Sequence, residues 1–255
     1  MAGAQLAKRV VSEGIGTALL LATVIGSGVM GERLSGGNVG LALLANAIAT
    51  GGALVALILT FGPISGGHFN PAVTVSDAAM GGMPWAEVPV YVAAQLAGAF
   101  AGVALAHGMF GLPVFFASGH VRSGWAQAFG EAVATFGLLS VIWGCARHRP
   151  DAVAFAVAGY ITAAYWFTSS TSFANPAVTI ARTLTNTFAG IKPSSAPAFI
   201  VFQIIGGVIA VAAVVFLYPA IRSVADDIVM PHRSEPEVNA RATRADVPVS
   251  GMDAR

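Results

Sequence analysis

Apolar residues run along this chain in blocks too long for strands and too continuous for helices with one wet face. Six blocks stand out, at about 10–30, 40–61, 88–110, 125–146, 152–169 and 197–219. Each matches or approaches the ~20 residues that carry a helix across a ~30 Å hydrocarbon layer. In lipid, a helix satisfies its backbone hydrogen bonds internally, so six transmembrane helices are predicted. Two further stretches, 70–80 and 175–185, are semi-apolar and about ten residues long. At 1.5 Å per residue each would make ~15 Å of helix, half a bilayer. The pattern changes near 221. Asp226, Asp227, Arg233, Glu235, Glu237, Arg241 and Arg244 crowd a segment with few apolar residues. A domain over 1–220 and a disordered tail over 221–255 follow.

The two short stretches open on the same five residues. One is Asn70-Pro71-Ala72-Val73-Thr74, the other Asn175-Pro176-Ala177-Val178-Thr179. The repeat extends outward. Glu13, in Glu-Gly-Ile-Gly-Thr-Ala-Leu-Leu, matches Glu131, in Glu-Ala-Val-Ala-Thr-Phe-Gly-Leu-Leu. Gln95 follows Asn70 by 25 residues and Gln203 follows Asn175 by 28. Each half, about 8–110 and 125–220, therefore reads as a span with Glu, a span, a half-helix and a span with Gln. Three spans per half is an odd number, so the second half must enter the membrane from the opposite side. Inverted repeats of this kind build pathways at the bilayer midplane.

Composition agrees and narrows the options. Of 255 residues, 56% are hydrophobic and 10% charged, against the ~25% charged residues of soluble domains. That is too little charge to cover a water-facing surface. A net charge of +1 offers no field for nucleic acid. Cys145 is the only cysteine, which excludes an internal disulfide and a cysteine zinc cluster. It reads as a packing thiol. Lys8-Arg9 before an apolar run imitates a secretory signal, but Glu13 interrupts the entry and no small-residue cleavage region closes the run. It reads as the first span. Gly98 and Gly102 form a GxxxG pattern that lets helices approach closely. Lys8, Arg9, Arg147, Arg149 and Arg222 lie on one side of the spans, and Arg33, Arg122 and Lys192 on the other. The bias places both termini in the cytoplasm.

The chemistry centres on the repeated motif. Asn is a favoured N-cap, and Pro at N1 loses no helical hydrogen bond. Both motifs therefore start helices. Each Asn oxygen can accept from its own helix while its NH2 points outward. Inverted symmetry brings the two caps face to face, with two helix N-termini and their partial positive charge on one lumen. Neutral solutes with lone pairs could pass such a centre. Cations would be repelled, and a water held there would have to accept from both Asn groups, breaking a proton relay.

Ser65-Gly66-Gly67-His68-Phe69 leading into the first motif, the second motif and the Glu13/Glu131 pair together resemble the aquaporin and aquaglyceroporin (major intrinsic protein) family over about residues 8–220. The resemblance implies an all-α membrane protein, with six transmembrane helices and two re-entrant half-helices in an inverted repeat. It implies one pore per protomer, a homotetramer in a cell (inner) membrane, and the lipid bilayer and small neutral solutes as partners. No nucleic acid, cofactor or metal is expected, and no enzymatic activity. Glu13 and Glu131 would support the re-entrant loops by hydrogen bonds, and His68 would pack beside the pore.

The sequence departs from the family at one position. Members usually carry Arg directly after the second Asn-Pro-Ala; here it is Val178. Offsets from the motifs place the rest of the outer constriction at Thr50 (70 − 20), Ala163 (175 − 12) and Ser172 (175 − 3). All four are small or medium in size, so a wide constriction without a fixed positive charge is expected. Arg182, four residues after Val178, could reach the outer mouth, snorkel to the interface or pair locally. Val178 in its context is similar to a bacterial subgroup linked to arsenical permeation. Glycerol-type polyols, arsenite and methylated arsenicals join water as expected solutes. A strict water channel is one alternative. A secondary transporter is another, but the only candidates for its ion site are Glu13, Glu131 and His68.

Overall fold

The computed structural model describes residues 2–218, and all regular structure among them is helical. The tail expected over 221–255 lies outside the described residues. The long helices are α1 (Ala2–Leu34), α2 (Val39–Ser65), α4 (Val88–Phe110), α5 (Trp125–His148), α6 (Val153–Phe167) and α8 (Ala196–Leu217). The short ones are α3 (Pro71–Met80) and α7 (Pro176–Ala181), the latter running on as a 3-10 turn over Arg182–Leu184.

Two element boundaries differ from the hydrophobic pattern for physical reasons. Helix α1 starts well before the apolar block. Its first turns are held against α4, with Leu6 and Val10 packed on the Val88–Tyr91 cluster, Arg9 Nη1 donating to Glu87 Oε2 (2.7 Å) and Nε to the Tyr91 hydroxyl (2.8 Å). Helix α6 has only 15 residues, ~22 Å, because the chain leaves the helix at Thr168 to run inward to the second motif. Five of the six long helices are long and apolar enough to cross a membrane by those criteria alone.

The two halves are built alike and then interlocked. In the first, α1 packs against α2 and α4; in the second, α5 packs against α6 and α8. Helices α2 and α6 join the halves. Each half-helix touches the last long helix of both halves, α3 meeting α4 and α8, and α7 meeting α8 and α4. The outside of the bundle is greasy. Val208, Ile204, Leu105 and Phe216 are all more than half exposed, as a lipid-facing surface requires.

Glycine sets the tightest crossings, at equivalent places. A Cβ on Gly98 would stand 2.2 Å from the Gly14 carbonyl oxygen, and one on Gly206 would stand 2.2 Å from that of Ala132. Gly102 is as tight, 2.3 Å from the Ala18 oxygen. Backbone cannot yield as a flexible side chain would. Gly98→Val and Gly206→Val should therefore each lower the melting temperature of the detergent-solubilised protein, by the equivalent of about 1–3 kcal/mol or more. Gly108→Ala, where a Cβ meets nothing within 4 Å, should leave it unchanged or slightly raised. Equal melting of all three would contradict this reading of the crossings.

Candidate functional site: a midplane pore

The site begins with the residue before each Asn. Phe69 and Ala174 sit in the left-handed region, at φ 47° and 48°, a conformation that L-residues adopt at a cost of ~1–3 kcal/mol. It aims each residue's N–H and C=O at different partners. The Phe69 N–H donates to Glu13 Oε2 (2.7 Å) and the Ala174 N–H to Glu131 Oε2 (2.8 Å). Their carbonyls cross over to the other half. Asn70 Nδ2 donates to Ala174 O (2.8 Å), and Asn175 Nδ2 donates to Phe69 O (2.8 Å). Each Asn oxygen meanwhile caps its own helix, accepting from Ala72 N–H (2.9 Å) and from Ala177 N–H (3.0 Å). An amide NH2 has two hydrogens, so one per Asn remains for the cavity that both line.

The carboxylates below are fully engaged. Glu13 accepts from His68 N–H, Phe69 N–H, the Ser65 hydroxyl and Gln95 Nε2, all within 2.9 Å. Glu131 accepts from Phe173 N–H (2.8 Å), Ala174 N–H and Gln203 Nε2 (2.6 Å). Four and three donors suit a carboxylate, which only accepts. The two Gln residues also donate to Thr74 Oγ1 (2.9 Å) and Thr179 Oγ1 (2.8 Å), whose hydroxyls donate to the Asn70 and Asn175 carbonyls. This explains why Thr follows the motif in both halves.

A cavity of about 80 Å³ runs past the two Asn residues. At ~10–15 Å³ per water it has room for several water-sized molecules. Toward the face where α1 begins, its walls are aliphatic: Leu54, Ile58, Leu138 and Ile142, with Val153 and Val157 at the start of α6; Leu20, Val24 and Ile161 continue the aliphatic wall through the midplane. His68 lines it too, with Nδ1 3.1 Å from Thr74 Oγ1 and Nε2 3.6 Å from Asp77 Oδ2. Thr50, Ser172, Val178 and Arg182 line it toward the opposite face. Pro71, Ala72 and Pro176 instead face a separate apolar groove on the outside of the bundle, and Ala177 is buried beneath the motif.

Ala163 does not join them. It is exposed on the outer side of α6, while the nearly fully buried Tyr165 faces the cavity and places its hydroxyl 3.2 Å from Thr50 Oγ1. The fixed offset from the motif failed because α6 ends early and the segment to Asn175 is bent through left-handed Thr171, Ser172 and Ala174. Helical spacing held the signal: Val153, Val157, Ile161 and Tyr165 recur every four residues on one face, and Ala163 is off that stripe. Arg182 also alters the expected set. It is 2% exposed, so it neither snorkels nor leaves the lumen. Its Nε donates to Ala189 O, and its guanidinium carbon lies 3.4 Å above the centre of the Phe173 ring. The expectation that neither an aromatic nor a guanidinium reaches the constriction is thus corrected by Tyr165 and Arg182.

Comparison with known proteins places the chain in a family and matches its fold. The family model described as Major intrinsic protein matches residues 1–151. Aquaglyceroporin AqpS of Rhizobium meliloti (strain 1021) is 49% identical over 219 residues, 86% of this chain and 94% of that protein. Probable aquaporin NIP7-1 of Arabidopsis thaliana is 39% identical over 103 residues, 40% of this chain and 36% of its own length. The fold matches the X-ray structure of the aquaglyceroporin from Plasmodium falciparum with a TM-score of 0.64 at 20% identity, covering 85% of this chain and 98% of that one.

The carboxylate network generates a prediction. Glu131→Ala leaves two buried N–H groups and the Gln203 amide without their acceptor, at ~1–3 kcal/mol each. It should sharply lower the melting temperature and the yield of folded protein. Glu131→Gln keeps the shape and one accepting oxygen, and should fall between Glu131→Ala and the wild type. A Glu131→Ala protein as stable as wild type would show that the loop does not depend on the carboxylate.

Proposed function

The chain belongs to the major intrinsic protein family, and we propose that it works as a passive pore for small uncharged solutes, including water, glycerol-type polyols and candidate arsenite and methylated arsenicals. It is a multi-pass membrane protein of a channel family whose members are tetramers. A homotetramer in the inner membrane, with both termini cytoplasmic, is the arrangement we infer for this chain. The 1–220 unit would be the channel domain.

The observation that carries the reading is the crossed pair of Asn side chains, each with one N–H left for the cavity. A solute at that point meets donors from both sides and the positive ends of two helices. A lone pair is welcome there and a cation is not. A water bonded to both Asn residues has given up its accepting lone pairs, so it cannot receive a proton from the next water in the file. The aliphatic wall facing the donors suits the carbon side of a polyol. Glu13 and Glu131 spend their oxygens on the loops, which leaves them unsuited to hold a coupling ion and favours a channel over a carrier.

Breadth at the constriction is the reading for solutes larger than water. At the position after the second motif the wall is Val178, with Thr50 and Ser172 as its other small members. The bulkier Tyr165 is drawn toward Thr50, and Arg182 is drawn onto Phe173. The test is flux in proteoliposomes by stopped-flow light scattering, with water, glycerol, arsenite and methylated arsenicals. Conduction of glycerol-sized solutes, without dependence on an ion gradient, is expected. Conduction of water alone would sink the solute reading. Val178→Arg should cut glycerol flux about tenfold and water flux far less; equal loss of both would count against this placement of the constriction.

A further inference from the structure

The two half-helices match in sequence but not in burial. Along α7, Ala177 and Ala181 are fully buried, and Ile180 is half-buried. At the matching positions of α3 the protein is open. Val75 is 43% exposed, and Ala72 and Ser76 line an apolar groove of about 580 Å³. The groove starts at Pro71 and Pro176, beside the midplane motifs. It follows α3 to Ala79, toward the face where α1 begins; there the neighbouring Ala78 packs in one cluster with Tyr91 and Leu6.

The walls of this groove come from α4, α5 and α8, through Val92, Leu139, Ile204 and Val208. Ile204 and Val208 are 55% and 64% exposed, so the groove is continuous with the lipid-facing surface. No charged residue lines it among the described residues. Its two polar members are turned inward. Ser76 Oγ accepts from Trp143 Nε1 (2.8 Å), and Gln203 Nε2 donates to Glu131 and Thr179. Ala72 to Ala79 spans ~10 Å of helix axis, and half of a ~30 Å hydrocarbon core is ~15 Å. The groove thus has the polarity and nearly the length of the hydrocarbon in one leaflet. Left empty, it would deprive its lining of contacts on one side.

We propose that this groove binds one phospholipid acyl chain, drawn from the leaflet on the side where α1 begins. The chain lies along the back of α3 with its terminal methyl against Pro71 and Pro176. Ala72, Ser76 and Ala79 on α3 and Gly207 on α8 are small, and their size makes the trough that the chain fills. Protein covers the matching stretch of α7; on α3 a lipid chain takes that place. Val73, on the other side of α3, lines the solute cavity. The half-helix that carries Asn70 is therefore clamped between the pore and a bound lipid.

Trp143 can report on the site. It is 1% exposed, yet it bonds Ser76 and sits one turn from Leu139, both in the groove wall. Trp85, Trp125 and Trp166 are all at least half exposed, so replacing each with Phe leaves Trp143 as the only tryptophan. The test is its fluorescence in vesicles of phosphatidylcholine with chains dibrominated at mid-length, against vesicles of plain dioleoylphosphatidylcholine. Bromine in the groove should quench Trp143. Each methylene that a filling side chain displaces weakens the site about fourfold, so Ala79→Leu and Gly207→Leu should each cut the quenching about fourfold or more. A Cβ on Gly207 meets nothing closer than 3.4 Å, so the fold accepts it. Leu105→Phe, on the lipid-facing surface outside the groove, should leave the quenching unchanged. No quenching before any filler is added would mean that protein, such as a second copy of the chain, covers the groove, and the proposal falls. Equal quenching with and without the fillers would mean that the bromines act from the surrounding bilayer, which overturns it too. Should the triple replacement fail to assemble, Ala79→Leu in the otherwise native chain must still lower the total quenching, and an unchanged total refutes the site.

Discussion

Everything in this molecule hangs on feeding the backbone of two bent loops in the middle of a bilayer. No water reaches those N–H and C=O groups from lipid, so protein atoms must meet each of them. Glu13 and Glu131 meet the N–H groups from behind, one in each half, and the two Asn amides meet the carbonyls from across the midplane. The arrangement tolerates left-handed residues at Phe69 and Ala174 because it over-determines them. The same bonds that seal the loops leave two N–H groups facing the cavity. Support for the loops and the donors offered to the cavity thus come from one network.

That network was legible in the sequence to the extent that its parts are paired residue types. Glu13 with Glu131, Gln95 with Gln203 and the doubled motif mark both the inverted repeat and its centre. Hydropathy alone placed six spans and two half-length segments. The direction in which each Asn spends its second hydrogen was not legible, since a sequence gives no partner for a carbonyl. The same is true of the roles of Thr74 and Thr179, which complete each Gln–Thr–Asn chain.

The outer constriction was the least legible part. Counting residues back from Asn175 assumes a connector of fixed shape, and this connector is bent by three left-handed residues. The four-residue stripe from Val153 to Tyr165 is a more secure guide, because α-helical geometry fixes it whatever the loop does. Arg182 was undecidable from spacing, as a long side chain one turn from the motif can turn in several directions. Its burial against Phe173 and the Ala189 carbonyl is a tertiary fact. The lumen that results has two characters: donors and hydroxyls at the two Asn residues, Thr50, Ser172 and Arg182, and hydrocarbon along the facing walls of α1, α2, α5 and α6.

The crossing of the two halves also has a consequence for biogenesis. Asn70 finds its acceptor 104 residues further along the chain, and Phe69 O waits for a donor 106 residues away. When the first three spans have entered the membrane, the α3 loop still holds an open carbonyl and an amide with nothing across from it. It also lacks the flank of α8 on which α3 rests. Satisfying those groups requires α7 to be threaded in from the other side after the chain has nearly all been delivered. The first half can therefore be inserted early but closed only late. Until then its re-entrant loop is a wet, unsealed defect that the inserting cell must shelter.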